Sequence, residues 1–418
     1  MIKRTLFTDV MEWLDRDKVI LIKGARQVGK TTLLLDIKNH LQSQQKMVVY
    51  VAADEFSNAD IFSDARLFLK FLNFEYGIER NAYVLIDEFQ YIKNSGLFIK
   101  VLIDMIKRES LGIQLIISGS SSLEISKSTE YLTGRKIEFL LFPFSFQEYL
   151  STENKFALSF NLDDDFNSLT DFYRIYQKEL EHRFSAYILW GGYPEVSLQP
   201  SNASRRMLLK EIISTYIEKD VAGYLNVENV SAFNKLVQLL SYQVSALVNR
   251  NELTSTLGIH YKTLSKYLDI LIGTFIYALV NPFYTNIRKE LSKMPKIFLN
   301  DTGIYYYYHP QNTLTFDAIP GNLVENFVYT SLKRQKSINN IYFYRTIARS
   351  EIDFVVRKWE KMIPLEVKFR KLVKMPAILN QFRQKYDTEK PIVVTRDTLQ
   401  NTKEAFFVPV VLLDLIEF

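Results

Sequence analysis

Two runs of this chain combine residue types that handle phosphate. Gly24-Ala25-Arg26-Gln27-Val28-Gly29-Lys30-Thr31, followed by Thr32, fits the G-x-x-x-x-G-K-[ST] pattern of a Walker A loop. The two glycines let backbone N–H groups wrap phosphate oxygens, Lys30 has the length to reach the β- and γ-phosphates, and the Thr31 hydroxyl is a hard ligand for Mg²⁺. Tyr83-Val84-Leu85-Ile86 is an apolar run that ends in Asp87-Glu88, the pattern of a Walker B strand. There Asp87 would hold Mg²⁺ through water, and Glu88 would orient the attacking water as a general base. The expectation is bound ATP with Mg²⁺, and its hydrolysis.

Two further groups belong to the same chemistry. Ser118, in Ser118-Gly119-Ser120, either contacts the γ-phosphate or the lytic water, or closes a plain turn. Arg135 is a candidate arginine finger, neutralising charge on the transferring phosphoryl group, or else an ordinary surface arginine; if it acts in trans, hydrolysis requires a neighbouring subunit of a homo-oligomer. A second constellation stands near the C-terminus: Glu325, then Asp353 in Glu351-Ile352-Asp353-Phe354-Val355-Val356, then Glu366-Val367-Lys368. Residues two apart on a strand face the same way, so Glu366 and Lys368 project together toward Asp353 if the strands pair. Asp353 and Glu366 would then hold Mg²⁺ while Lys368 polarises a water, which is equipment for phosphodiester hydrolysis; the alternative is an ordinary Glu–Lys surface pair.

These groups need a frame. Apolar runs at Val19 to Ile22, Met47 to Val51, Tyr83 to Ile86, Leu115 to Ile117 and Ile137 to Leu141 alternate with helical stretches, which reads as an α/β domain with a parallel sheet over residues 1–150. Helical periodicity over 151–240 reads as a lid domain. Residues 241–305 read as a winged helix: helix, Gly258 turn, a helix with Leu264, Leu268 and Leu271 on one face, then Ile276 to Val280 and Lys296 to Leu299 as wing strands joined by basic Asn286 to Lys293. His260, Tyr261, Lys262, Ser265 and Lys266 are placed to meet DNA; the rival reading is an internal lid or protein-interaction module. Residues 306–418 read as helix, three strands, helix, strand.

The motifs through Phe142-Pro143-Phe144-Ser145-Phe146, Gly191-Gly192-Tyr193-Pro194, Asn300-Asp301-Thr302-Gly303 and Glu325 resemble the prokaryotic AAA-type P-loop ATPases that carry a C-terminal domain of unknown function. Similarity to signal-transducing ATPases implies that Pro194 packs near the adenine, although a loop turn is the plainer reading. The acid, strand Asp and Glu-x-Lys resemble the PD-(D/E)XK restriction-endonuclease family, with Ser350-Glu351-Ile352 standing where that motif has its proline.

Composition narrows the rest. With no cysteine, disulfides, thiolate chemistry and zinc–cysteine sites are excluded, and four scattered histidines (His40, His182, His260, His309) make no multi-histidine site. The net charge of +5 hides an asymmetry: residues 333–374 hold twelve Lys/Arg against four Asp/Glu, and 249–296 hold seven against three. Such basic stretches suit a polyanion such as DNA, though solvated faces carry charge as well. The apolar stretch Ile270 to Val280 is too short for roughly 30 Å of hydrocarbon, and the N-terminus has no apolar leader, so a cytoplasmic location without membrane contact is expected.

Overall fold

Four largely buried strands rich in Val, Ile and Leu, with a fifth, half-buried strand at the edge, form the centre of the N-terminal unit, as a parallel sheet between helical layers requires. In this computed structural model every residue is described except 1, 56–59, 121–131, 153–155, 157, 217–220, 222–226, 228, 285–289, 291–292, 347, 372 and 418. Residues 1–143 with 273–275 make one compact unit, and 144–272 with 276–418 make another.

In the first unit the elements run α1 (Thr5–Met11), β1 (Val19–Lys23), α2 (Lys30–Ser43), β2 (Met47–Ala52), α3 (Ala65–Tyr76), β3 (Ala82–Asp87), α4 (Ser95–Arg108), β4 (Gln114–Gly119) and β5 (Lys136–Leu140). The sheet order is β2-β3-β4-β1-β5, parallel throughout. β4 therefore lies between β1, which leads into the glycine loop, and β3, which ends in Asp87. Phe68 and Leu72 of α3 and Phe98 and Leu102 of α4 pack with Val84, Ile86 and Ile117 of the sheet. The Asp64 carboxylate caps α3 on the Arg66 and Leu67 amides.

The second unit begins with α5 (Phe146–Leu150), β6 (Phe160–Asn161), α6 (Phe166–Trp190), α7 (Pro194–Ser197), α8 (Asn202–Thr215) and α9 (Val230–Tyr242). It continues through α10 (Arg250–Leu257), α11 (Tyr261–Gly273), β7 (Tyr277–Val280), β8 (Lys296–Leu299), α12 (Gly303–Tyr308) and α13 (Gly321–Arg334). Then follow β9 (Asn340–Arg345), β10 (Glu351–Lys358), β11 (Lys361–Lys368), α14 (Ala377–Lys385), β12 (Ile392–Thr395), β13 (Gln400–Asn401), β14 (Phe406–Pro409) and β15 (Ile416–Glu417). Strands β9, β10 and β11 form an antiparallel meander; after α14 the chain adds β12 parallel to β11, for the order β13-β14-β12-β11-β10-β9.

Apart from 273–275, the segments set apart in the sequence at 151–240, 241–305 and 306–418 lie in this second unit, for identifiable reasons. β15 pairs with β6, so the C-terminal segment completes a ladder with the helical one. Phe146 sets its ring edge-on to Phe184 and to Phe327, at 5.3 and 6.3 Å between centroids. The buried Asp301 carboxylate accepts from Gly192 N at 2.7 Å and Gly303 N at 2.8 Å, joining two sequence motifs about 110 residues apart. At Gly192 a Cβ would come within 2.2 Å of the Phe144 carbonyl oxygen, so the close approach requires glycine.

Burial lifts the Asp301 carboxyl to about 6, against the two amides and Arg334, which lower it. A carboxyl raised in this way favours folding while protonated; that contribution is complete below about pH 4 and is lost as the pH rises through about 6. Urea unfolding should show the chain losing on the order of 2–3 kcal/mol relative to Asp301→Asn between those pH values, because the amide cannot ionise. Parallel pH profiles of the two proteins would contradict this assignment.

Candidate functional site

The glycine loop leaves the carboxyl end of β1 and enters α2, which places the helix N-terminus at its mouth. Gln27 and Gly29 take left-handed backbone angles, φ 59° and 94°. A Cβ at Gly24 would lie 2.3 Å from the Leu141 carbonyl, so no other residue fits there. Ala25 and Val28 are buried beneath the loop. The buried Lys30 ammonium donates to the carbonyls of Gly24 at 3.2 Å and Ala25 at 2.8 Å, folding the side chain along the loop. Arg4, which sequence reasoning passed over, donates from Nη1 to Val28 O at 2.7 Å and from Nη2 to Phe142 O at 2.6 Å, and so pins the loop from below. Arg26 reaches the Tyr91 hydroxyl at 3.3 Å.

Asp87, at the end of β3, is the hub. Its Oδ2 accepts from Thr31 Oγ1 at 2.6 Å and from the Tyr50 hydroxyl at 2.9 Å, and its Oδ1 from Glu88 N at 3.0 Å and from the Ser118 hydroxyl. Burial and then the Asp87 charge push the Tyr50 phenol well up, so Tyr50 remains a neutral donor. The Ser118 hydroxyl is thus directed at Asp87 rather than at a phosphate, because the parallel register of β3 and β4 sets the two strand ends side by side. Glu88, in a left-handed conformation, accepts from Gln90 Nε2, which also donates to Ser120 Oγ at 3.0 Å. Thr31 and Asp87 are hard oxygen donors brought together at a helix N-terminus, which fits Mg²⁺ shared with water and phosphate. Thr32 follows on α2 and is exposed.

Residues 16–150 match the family model described as an AAA domain. This segment is similar to AAA domains. Residues 181–315 and 320–413 match two models described as domains of unknown function, DUF8612 and DUF4143. An uncharacterized protein of Haemophilus influenzae is 24% identical over 370 residues, covering 86% of this chain and 84% of its own length. One from Methanocaldococcus jannaschii is 28% identical over 329 residues, covering 75% and 67%. Among solved structures, Aeropyrum pernix ORC1 in complex with DNA aligns at a TM-score of 0.31 with 13% identity, over 72% of this chain and 90% of that one. A Thermotoga maritima RuvB variant aligns at 0.33 with 16% identity, over 70% and 94%. Superpositions this loose carry no argument.

Within the first unit Arg135 lies too far from the glycine loop to serve it. Val19 pairs with Lys136 at the amino edge of the sheet, and the five residues of β1 separate that edge from Gly24 by about 15 Å at roughly 3.3 Å per residue. Arg135 instead pairs with Asp104 at 2.8 Å and borders a cleft of about 570 Å³ with Asp15, Tyr83, Lys107 and Gln114. Pro194, in the second unit, opens α7 directly after the Gly191-Gly192 joint. No helix among the described residues is long and apolar enough to cross a membrane.

In the second unit α10 and α11 flank the left-handed Gly258, with Leu264, Leu268 and Leu271 buried; His260, Tyr261, Lys262 and Lys266 are exposed and Ser265 half-buried. β7 and β8 pair antiparallel as expected, but β8 is buried along its whole length and Phe298 stacks on Tyr329 at 4.6 Å, so this strand is core rather than a wing lying open to DNA. Most of the joining stretch Asn286 to Lys293 lies outside the described residues.

The C-terminal constellation comes together, with an addition. The register that sets Phe354 opposite Leu365 brings Asp353 against Glu366: Val367 N donates to Asp353 Oδ2 at 2.8 Å, Asp353 N donates to Glu366 Oε2 at 3.2 Å, and Lys368 pairs with Glu366. Glu325 approaches from α13. Between Glu325 and Asp353 sits Lys296 of β8, buried, with Nζ 2.7 Å from Glu325 Oε1, 2.5 Å from Glu351 Oε1 and 3.9 Å from Asp353 Oδ1. Burial and then Asp353 lift Glu325 to about 8; burial and then Asp353 lift Glu366 to about 7; burial likewise raises Asp353. Burial would lower Lys296, but Glu325, Glu351 and Asp353 outweigh it and hold it charged.

This donor set does not fit the Mg²⁺ expected at Asp353 and Glu366. One oxygen of each already accepts a backbone amide, and an ammonium fills the centre. Among the described residues no group of three or more acidic, histidine or cysteine side chains is placed to hold a metal ion.

The support that Arg4 gives the loop should be measurable. Arg4→Met removes two charge-assisted hydrogen bonds and should loosen binding of a fluorescent ATP analogue about tenfold, with Arg4→Lys recovering part of it. Unchanged affinity in Arg4→Met would show that the loop holds its shape without the clamp.

Proposed function

We propose that this chain is an ATP-hydrolysing AAA-type enzyme whose nucleotide state governs a C-terminal half that binds DNA. The observation that carries the reading is the 2.6 Å hydrogen bond between Thr31 Oγ1 and Asp87 Oδ2, which joins the Walker A loop to the Walker B strand at the carboxyl edge of the sheet. ATP would lie with its phosphates against the backbone amides of Gly24 to Thr32 and its γ-phosphate within reach of Lys30. Thr31 and Asp87 would hold Mg²⁺, which would supply charge neutralisation at the transferring phosphoryl group. Glu88, oriented by Gln90 and Ser120, accepts a proton from the attacking water as its oxygen bonds to the γ-phosphorus and the bond to the β–γ bridging oxygen breaks. Arg135, at the amino edge, serves a neighbouring copy in this reading.

The exposed basic and aromatic residues at the start of α11, with the local positive charge around them, support DNA as the partner. The restriction-endonuclease resemblance is supported by the helix, three strands, helix, strand order of α13 to β12. Cleavage is disfavoured by Lys296 within the carboxylates, so the reading adopted is an ATP-gated DNA-binding regulator with an inert nuclease-like centre.

Purified chain should hydrolyse ATP, with Lys30→Ala and Asp87→Asn at background. Arg135→Ala should bind ATP normally yet hydrolyse it at least about 100-fold more slowly. Mixing Arg135→Ala with Lys30→Ala should restore part of the activity, since each supplies what the other lacks. No ATPase activity in any assembly would sink the enzyme reading. DNA affinity should fall steeply with salt and weaken in Lys262→Ala/Lys266→Ala; salt-independent or absent binding would favour the internal-lid alternative. Plasmid DNA should survive with Mg²⁺ and ATP, and cleavage lost in Asp353→Ala would overturn the inert centre.

A further inference from the structure

Four carboxylates, of Glu325, Glu351, Asp353 and Glu366, converge where α13, β10 and β11 meet β8, and like charges in one half-buried site need compensation. Among the described residues it comes from three cations. Lys368 pairs with Glu366, Arg345 Nε lies 3.7 Å from Glu351 Oε2, and Lys296 takes the middle. An ammonium has three donors on a compact point charge, and Lys296 spends its reach on carboxylates from three different positions of the fold.

The Lys296 backbone is fixed as firmly as its charge. Lys296 pairs with Val280 across the β7–β8 ladder and bridges to Leu247 on its other side. At the far end of the strand the fully buried Asn326 receives Leu299 N at 2.7 Å and donates to Leu299 O at 3.1 Å, tying β8 to the same helix that carries Glu325. The ammonium also lies 5.5 Å from the centroid of the Phe343 ring.

We propose that Lys296 is the resident cation of this cluster: it takes the place a divalent metal would need, and the centre binds none. This deepens the reading of an inert nuclease-like centre and is independent of ATP hydrolysis, which Lys30→Ala tests separately. Admitting a divalent ion would require expelling a charged, strand-anchored lysine from three carboxylates. The cluster then works as a buried ionic joint that locks β8 onto the C-terminal sheet.

The test is Mn²⁺ bound per chain, counted by electron paramagnetic resonance on the full chain without nucleotide. The unaltered chain and Asp353→Asn should bind equal amounts. Lys296→Met should gain about one Mn²⁺, and adding Asp353→Asn to it should remove that ion. An ion bound by the unaltered chain and lost in Asp353→Asn overturns the proposal, and so does a Lys296→Met protein that keeps its native circular dichroism yet gains none. The first comparison leaves Lys296 in place, so it decides even if Lys296→Met does not fold.

Discussion

A carboxylate taken out of water must find its solvation inside the protein, and that requirement organises both units. The net cost of an unmet buried charge runs to several kcal/mol, comparable with the stability of a whole domain. Asp87, Asp301 and Asp353 each face this demand, and each is answered by a different kind of donor. Asp87 takes two hydroxyls from neighbouring strands, one from Thr31 and one backbone amide; Asp301 takes two glycine amides; Asp353 takes an amide and lies in the field of Lys296 and Lys368.

The kind of donor decides what the acid can do. Hydroxyls and amides stabilise Asp87 without cancelling its charge, and a hydroxyl proton can turn away when a cation arrives, so Asp87 stays competent toward Mg²⁺. Glycine amides held by the backbone cannot turn, and the group they hold becomes a joint. An ammonium does more than solvate: it neutralises, and a carboxylate already neutralised by a fixed cation has little attraction left for a second one. The same residue type therefore reads as site, joint and lock in three places, and only the surroundings distinguish them.

This is also where the sequence was legible and where it was not. The four buried strands of the N-terminal sheet and the glycine loop are visible in the chain because their causes are local: buried parallel strands are uninterrupted apolar runs, and the loop must supply glycines at fixed spacing. The α10 and α11 pair with its left-handed Gly258, and the pairing of Asp353 with Glu366, follow from short-range periodicity too. The structural partners of those residues do not. Arg4 lies 24 residues before Val28, Tyr50 lies 37 before Asp87, and Asp301 lies 109 after Gly192. Lys296 gave one signal, a lone charge opening the otherwise apolar strand Lys296-Ile297-Phe298-Leu299, and a charge at that position of a presumed wing reads naturally as a DNA contact. Its burial depends on α13 and β10 packing over it, which no local pattern encodes.

That placement has a consequence for how the second unit can work. β8 follows α10 and α11 in the chain and is tied to α13 through Glu325, Asn326 and Tyr329 and to β10 through Glu351, Asp353 and Phe354. A buried ion pair adds little to stability when set against apolar residues of equal volume, but breaking it by removing one partner is costly. The lock therefore penalises sliding of β8 against α13 far more than it deepens the folded state. What it fixes is the position of β8 on α13 and β10.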